Sequence, residues 1–371
     1  MATSFPFGTL SSLTGPFEGV DRQGYVFLIV KLGDLGTVPL CAYWTSRKNV
    51  SSPLLGDGWC LPLLEGRLVP AEQSEINFFQ PDGFMRTLMR GRKDPRNLSS
   101  GLWRGREEGE GDALLTADFG AAGGKVAVGF RGGRMVSLRC AEGNFSFSYK
   151  GRAIDHVSMD GVTVLSVVRP AHEPNRIEFR LAGGQAAAVC EKRTTGGLAV
   201  TAADGTRRVF ALGEDHWTPT LTVDGVVYRW DRYRGRTLAV GDWSYQVGDA
   251  KPEWNNARIE RKRKDGKRES YWFNQANGKG EYRTVDGECY AWARFPSGDF
   301  YGLLRWSEKT RGKELLHRHD YTYDERRRMV FHRLRRGEAE RAEGAPELDE
   351  TWYGPDGKVR RRRVDGKDVK P

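Results

Sequence analysis

The stretch Phe145-Ser146-Phe147-Ser148-Tyr149 places its aromatic rings on one side of an extended chain and its serines on the other. That period of two belongs to a strand with one covered and one wet face, and a helix cannot reproduce it. Neighbouring segments repeat the grammar. Residues 125–130 lead through Arg131-Gly132-Gly133 into 135–140, and Glu142-Gly143-Asn144 leads into the aromatic strand. Residues 154–159 then turn at Asp160-Gly161 into 162–168. Strands of about six residues at about ten-residue spacing predict an antiparallel meander of hairpins. Asp-Gly supplies the positive φ that a tight hairpin demands.

The pattern extends in both directions. Upstream, the unbroken apolar run 25–30 predicts a strand buried on both faces, with 38–45 returning beside it. Glycines and prolines in 52–62 prevent a regular element, yet Trp59 and the leucines need cover, so this segment reads as a plug across one end of a sheet. Residues 76–79 and 84–88 flank Pro81-Asp82-Gly83 as a hairpin, and the charged 93–110 reads as an exposed loop around Trp103. Downstream, turns at Asp204-Gly205, Asp224-Gly225, Asp265-Gly266 and Asp286-Gly287 continue the meander. Helical periodicity is nearly absent; 337–350 holds helix formers but little apolar face and reads as a mobile charged loop.

The predicted fold is therefore all-β, a long antiparallel strip of hairpins curled into a shell or barrel, with a β-propeller or a pair of β-sandwiches as the alternative. Four segments follow: 1–70 with N-terminal strands and a Gly-Trp cap, 71–250 as hairpin repeats, 251–336 as basic repeats, and 337–371 as a charged tail.

Composition narrows the function classes. Eleven tryptophans argue against disorder. The net charge is +10, and the part from Lys251 onward carries about half of the basic residues and about +8 of that excess. Such a surface suits an acidic polymer, or is simply the wet face of half-buried strands. Five scattered cysteines without a CxxC pair form neither a disulfide framework nor a zinc site, and read as buried thiols. The N-terminus lacks the basic and apolar regions of a secretory signal, and no apolar run reaches bilayer length. That leaves a cytoplasmic location or a different export route.

The segment Tyr321-Thr322-Tyr323-Asp324, followed by Arg327-Arg328-Met329, carries a second signal. With Leu55-Gly56-Asp57-Gly58-Trp59 and the stretches 220–230 and 241–245, it resembles the rearrangement-hotspot or YD-repeat family, whose repeat runs Tyr-x-Tyr-Asp-x-x-Gly-Arg-Leu. Arg327 stands where the repeat has its turn glycine. The resemblance covers about 25–335 and implies a shell of hairpins that encloses a polypeptide or presents an interaction surface. On this reading Tyr321, Tyr323, Asp324 and Arg328 are structural. Two features of the family are missing, an Asp-Pro-x-Gly self-cleavage motif near the C-terminus and a toxin-like domain after 335.

No P-loop, dinucleotide fingerprint, Gly-x-Ser-x-Gly or His-Glu-x-x-His occurs. His317-x-His319 with His332 could be a metal pair or an ordinary wet strand face, and the second is the commoner case. Glu214, Asp215, Asp242 and Asp299 could pair for glycoside hydrolysis, but most aspartates here precede turn glycines. Aromatics among basic residues, namely Tyr271, Trp272, Tyr290, Trp292 and Trp306, form the candidate interaction surface. Cross-strand aromatic pairs also stabilise sheets without any ligand. The expected molecule is a non-enzymatic β scaffold without cofactor or metal, whose partner is a protein or an enclosed polypeptide. Glycan binding or hydrolysis is the first alternative. The second is nucleic-acid binding by the basic C-terminal third, which as a partner is the less expected.

Overall fold

The computed structural model describes residues 4–5, 8–9, 17–21, 23–35, 38–48, 50–71, 75–79, 85–100, 102–118, 124–182, 184, 186–193, 197–202, 204–248, 257–274, 277–296, 302–341 and 345–370. The chain divides into two compact units, Met1–Asp21 with Tyr25–Gly241, and Arg22–Gly24 with Asp242–Pro371.

Both units are built from consecutive antiparallel hairpins, the predicted all-β meander. In the first, eight strands close into a ring: Arg67–Pro70, Glu75–Phe79, Met85–Arg90, Asn97–Ser100, Trp103–Gly109, Asp112–Asp118, Lys125–Arg131 and Arg134–Cys140. Arg67 lies opposite Arg134, the Leu68 N–H donates to the Gly133 carbonyl at 2.7 Å, and the Met135 N–H donates to the Gly66 carbonyl at 3.0 Å. These bonds satisfy what would otherwise be an open edge. From Gly143–Lys150 to Thr237–Val240 the ladder continues strand by strand without a crossover, unlike the Greek-key connections of a sandwich.

Alternation decides which side chains turn inward. Ala113, Leu115 and Ala117, then Val126, Val128 and Phe130, are buried while their neighbours face out. Phe78 meets Trp103 and Phe130 edge-on, with centroids 5.0 and 5.6 Å apart, inside one joined apolar cluster. Trp59, Leu61, Leu63 and Leu64 belong to the same cluster, so the apolar side chains of this segment are covered as expected. The segment 52–62 is not without regular elements, however: it carries the short strands Ser51–Ser52, Gly56–Asp57 and Trp59–Cys60 and leads into the short helix Pro62–Glu65. Full burial falls on Val38–Thr45, all eight positions of which are covered, whereas Tyr25, Phe27, Leu28 and Ile29 are only half-buried. The hairpin centre at Pro81-Asp82-Gly83 lies outside the described residues.

Two loop expectations are corrected. Residues 93–110 contain the strands Asn97–Ser100 and Trp103–Gly109, and Trp103 is 1% exposed. The outward charges Arg104, Arg106 and Glu108 had hidden an alternating strand. The segment after 336 is no tail: Leu348–Tyr353, Val359–Val364 and Lys367–Val369 extend the sheet of the second unit, with a single turn of 3-10 helix at Glu338–Glu340.

That sheet runs from Trp243–Gly248 through Ala257–Arg263, Arg268–Asn274, Lys279–Arg283, Glu288–Arg294, Leu304–Arg311, Glu314–Tyr323 and Met329–Arg336 to those last strands. Its buried apolar side chains, among the described residues, are Tyr245, Ile259, Tyr271, Cys289, Ala293 and Leu316. Cys41, Cys140 and Cys190 are buried thiols too, while Cys60 is half-buried.

Candidate functional site

The pairing registers of the second unit sort its aromatic and ionic side chains onto two faces. Ile259 lies opposite Tyr271, Tyr271 opposite Tyr282, Tyr282 opposite Tyr290, Tyr290 opposite Lys309, and Lys309 opposite His317. The next row is Phe273, Gly280, Trp292, Ser307, His319 and Leu334. Tyr271 stacks on Trp292 at 6.0 Å and Tyr282 on Tyr290 at 6.2 Å. A Cβ at Gly280 would strike the Trp292 ring at 2.3 Å, so the indole lies flat over that glycine.

The five expected interaction residues therefore divide. Tyr271, Tyr290 and Trp292 share one face. Trp272 and Trp306 are on the other, where Trp272 is 36% exposed and Trp306 carries the Arg318 guanidinium at 5.1 Å. The split follows from the period of two within Tyr271-Trp272-Phe273 itself.

The polar groups beside the tyrosine row are tied together. Glu288 accepts from the Tyr290 hydroxyl at 3.0 Å, from Lys309 at 3.0 Å and from Arg311 at 2.8 Å. The Arg311 and Lys309 hydrogen bonds hold its carboxyl down at about 2, and the bond to Glu288 raises Lys309. Glu269 pairs with Arg261 and accepts from the Tyr282 hydroxyl at 3.0 Å. Burial, then the Glu269 charge, pushes the Tyr282 phenol up to about 12.

The histidines meet farther along the same face. His319 Nδ1 and His332 Nε2 share a hydrogen bond of 2.8 Å, and both rings stack with Tyr321. Burial, then His332 and His317, lowers His319; burial also lowers His332, against the opposing pull of Asp349 and Asp320. Because these two ring nitrogens face each other, one must donate and one accept, so neither of that pair of nitrogens is open to a metal while the bond stands. Among the described residues no group of three or more His, Cys, Asp or Glu is placed to hold a metal.

Tyr321, Tyr323, Asp324 and Arg328 occupy a hairpin. The Tyr323 hydroxyl donates to the Leu304 carbonyl at 2.9 Å, which ties two strands. Arg328 grips Asp324 through Nε and Nη2 at 2.8 and 2.6 Å, and its Nη1 donates to the Pro355 carbonyl at 2.8 Å. Arg327 takes φ +62°, so the turn keeps its left-handed residue even without glycine.

The arginine run at 360–363 is equally engaged. Arg360 pairs with Asp356 at 3.0 Å, Arg361 with Asp368 at 2.8 Å, Arg362 with Asp349 at 2.6 Å and Arg363 with Glu350 at 4.0 Å. Charge counting along the sequence could not show these partners, since they come from both neighbouring strands and a turn. Among the described residues no helix is long and apolar enough to cross a membrane. Asp299, an expected carboxylate candidate, lies outside the described residues. Compared with known proteins, the chain matches no family model and no curated protein.

Proposed function

We propose that the chain is a non-enzymatic β-repeat scaffold of the YD-repeat type, and that the tyrosine–tryptophan face of its second unit binds a polypeptide. The observation that carries this reading is the row Tyr282, Tyr290 and Trp292, half-exposed and held by stacking and by Glu269 and Glu288. Rigid aromatic rings with pinned orientation lose little entropy on binding, which is why Tyr and Trp dominate protein contact surfaces. The ion pairing of the arginines supports a polypeptide over a polyanion, because phosphates would have to displace carboxylates already in place.

A photo-reactive phenylalanine analogue placed at 292, with 272 on the opposite face as control, tests this in cells that naturally make the protein. Polypeptide adducts formed from 292 and not from 272 support the reading. Adducts from both positions alike, or from neither, refute it.

A further inference from the structure

Among the described residues, the first unit contains four two-residue hairpin turns in which both central residues have positive φ. Three use the residues such a turn favours: Gly132-Gly133 at +53° and +74°, Asp160-Gly161 at +49° and +86°, and Asp224-Gly225 at +51° and +80°; Asp365-Gly366 at +46° and +80° does the same in the second unit. The fourth in the first unit, between Asp215 and Thr218, is His216-Trp217 at +47° and +69°. A bulky side chain in the left-handed region is a true outlier, and such strain gathers where the side chain itself is needed. The fold gains nothing visible from either ring, since Trp217 is 83% exposed and the His216 side chain 96%.

A second exposed ring shares this rim. Strand 218–223 pairs with 226–230, which pairs with 237–240, so the loop 231–236 emerges at the same end of the sheet as the strained turn. Tyr233, in that loop, is 78% exposed. Asp231 Oδ1 accepts from the Tyr233 and Arg234 backbone N–H groups at 2.9 and 2.5 Å, which fixes the loop. Arg232 reaches Glu214, and Arg229 reaches Asp215 at 3.0 Å, tying the loop to the base of the turn. Two strand spacings put the turn and loop about 10 Å apart.

From these observations we infer that the rim of Trp217 and Tyr233 is a binding site for a neutral glycan chain. The separation is close to the span of a disaccharide, and an aromatic face covers the C–H side of a pyranose ring. The adjoining Arg–carboxylate pairs offer both donors and acceptors to hydroxyl groups while balancing in charge, so neither a polyanion nor a polycation is selected. Glu214 and Asp215 stand beside the rings and would be driven into the headgroups of an anionic bilayer, which disfavours a membrane. An extended peptide finds no open edge here, because strands 218–223 and 226–230 are hydrogen-bonded on both sides.

The test uses the full chain, affinity electrophoresis through hydroxyethyl cellulose, xylan, glycol chitin and soluble starch, and calorimetry with the matching hexasaccharides. The double substitution His216→Asn with Trp217→Gly installs a favoured turn, so it should raise the thermal midpoint while weakening glycan retention by roughly tenfold or more. Tyr233→Ala should weaken it with the midpoint unchanged. Retention on at least one of these glycans, lost in both variants, is the expected result. No retention on any of them, retention indifferent to the substitutions, or binding only to vesicles of phosphatidylserine overturns the assignment.

Discussion

Replacing Glu65 by glutamine should change the pH dependence of stability in a way that the burial of its carboxyl dictates. Glu65 ends the short helix Pro62–Glu65, and its carboxylate accepts from the Ser52 hydroxyl at 2.5 Å and the Leu61 N–H at 2.9 Å. Ser52 Oγ in turn accepts from the Leu54 and Leu55 N–H groups at 3.1 and 3.0 Å, so one carboxyl organises the entire bend. Burial raises its pKa from 4.5 to about 7, outweighing those hydrogen bonds and Arg67. The folded state thus holds the proton more tightly than the unfolded chain does. Its contribution to stability is fully present below pH 4.5, declines as pH rises through the window to about 7, and is lost above it. At about 1.4 kcal/mol for each pH unit in that window, the change is on the order of 3 kcal/mol. Urea unfolding of Glu65→Gln and the parent at pH 5 and pH 8 checks it through the difference between the two proteins, from which all other titrating groups cancel. The variant should improve relative to the parent by about 3 kcal/mol between the two pH values. A difference that does not move with pH refutes the reasoning.

Other perturbations follow from the same contacts. Trp103→Ala empties the centre of the aromatic cluster in the ring and should cost about 3–5 kcal/mol in denaturant unfolding. Arg327→Gly relieves a left-handed residue at a cost of about 1 kcal/mol, less the extra freedom glycine gives the unfolded chain, so a small rise in thermal midpoint is expected. Gly266→Ala, at φ +89° in the equivalent position of another hairpin, should lower it. Glu288→Gln removes a carboxyl whose pKa is depressed to about 2; the stability it supplies is present above pH 4.5 and fades toward pH 2, so the variant should show a flatter acid limb in a pH-resolved melting series.

The strands were legible wherever one face was apolar, because covering that face forces period-two alternation. Trp103–Gly109 escaped notice because one buried ring, followed by outward charges and glycines, leaves too little alternation to read. Val359–Val364 escaped for the opposite reason: no apolar stripe exists, and the strand is held by its ladder and by carboxylates at 349, 350 and 368. The candidate surface was legible as a set of residues but not as a place. Which rings meet across strands depends on register, and the shifts at Ala293/Arg294 and Lys309/Thr310 re-aim whole rows. The exposed rim of Trp217 and Tyr233 was invisible because the turn residues give no sign of φ until the hairpin is built.

The two turn exceptions separate strain that the fold compensates from strain that it leaves standing. At Arg327 the local network changes with the residue. Elsewhere in this turn class the aspartate just before the glycine accepts the following N–H, as Asp265 does from Lys267 and Asp356 from Lys358. Here the acceptor has moved to the head of the turn, and Asp324 Oδ1 takes both the Arg326 and Arg328 N–H groups at 3.0 and 2.9 Å. One added backbone bond of this kind contributes about 1 kcal/mol, comparable to the cost of the left-handed arginine. At His216-Trp217 two residues are strained and, among the described residues, His216 meets only Asp215, at 3.5 Å on an almost fully exposed ring. Relieving the second turn should therefore stabilise more than relieving the first. Equal gains from the two replacements would mean that φ strain is not what distinguishes them.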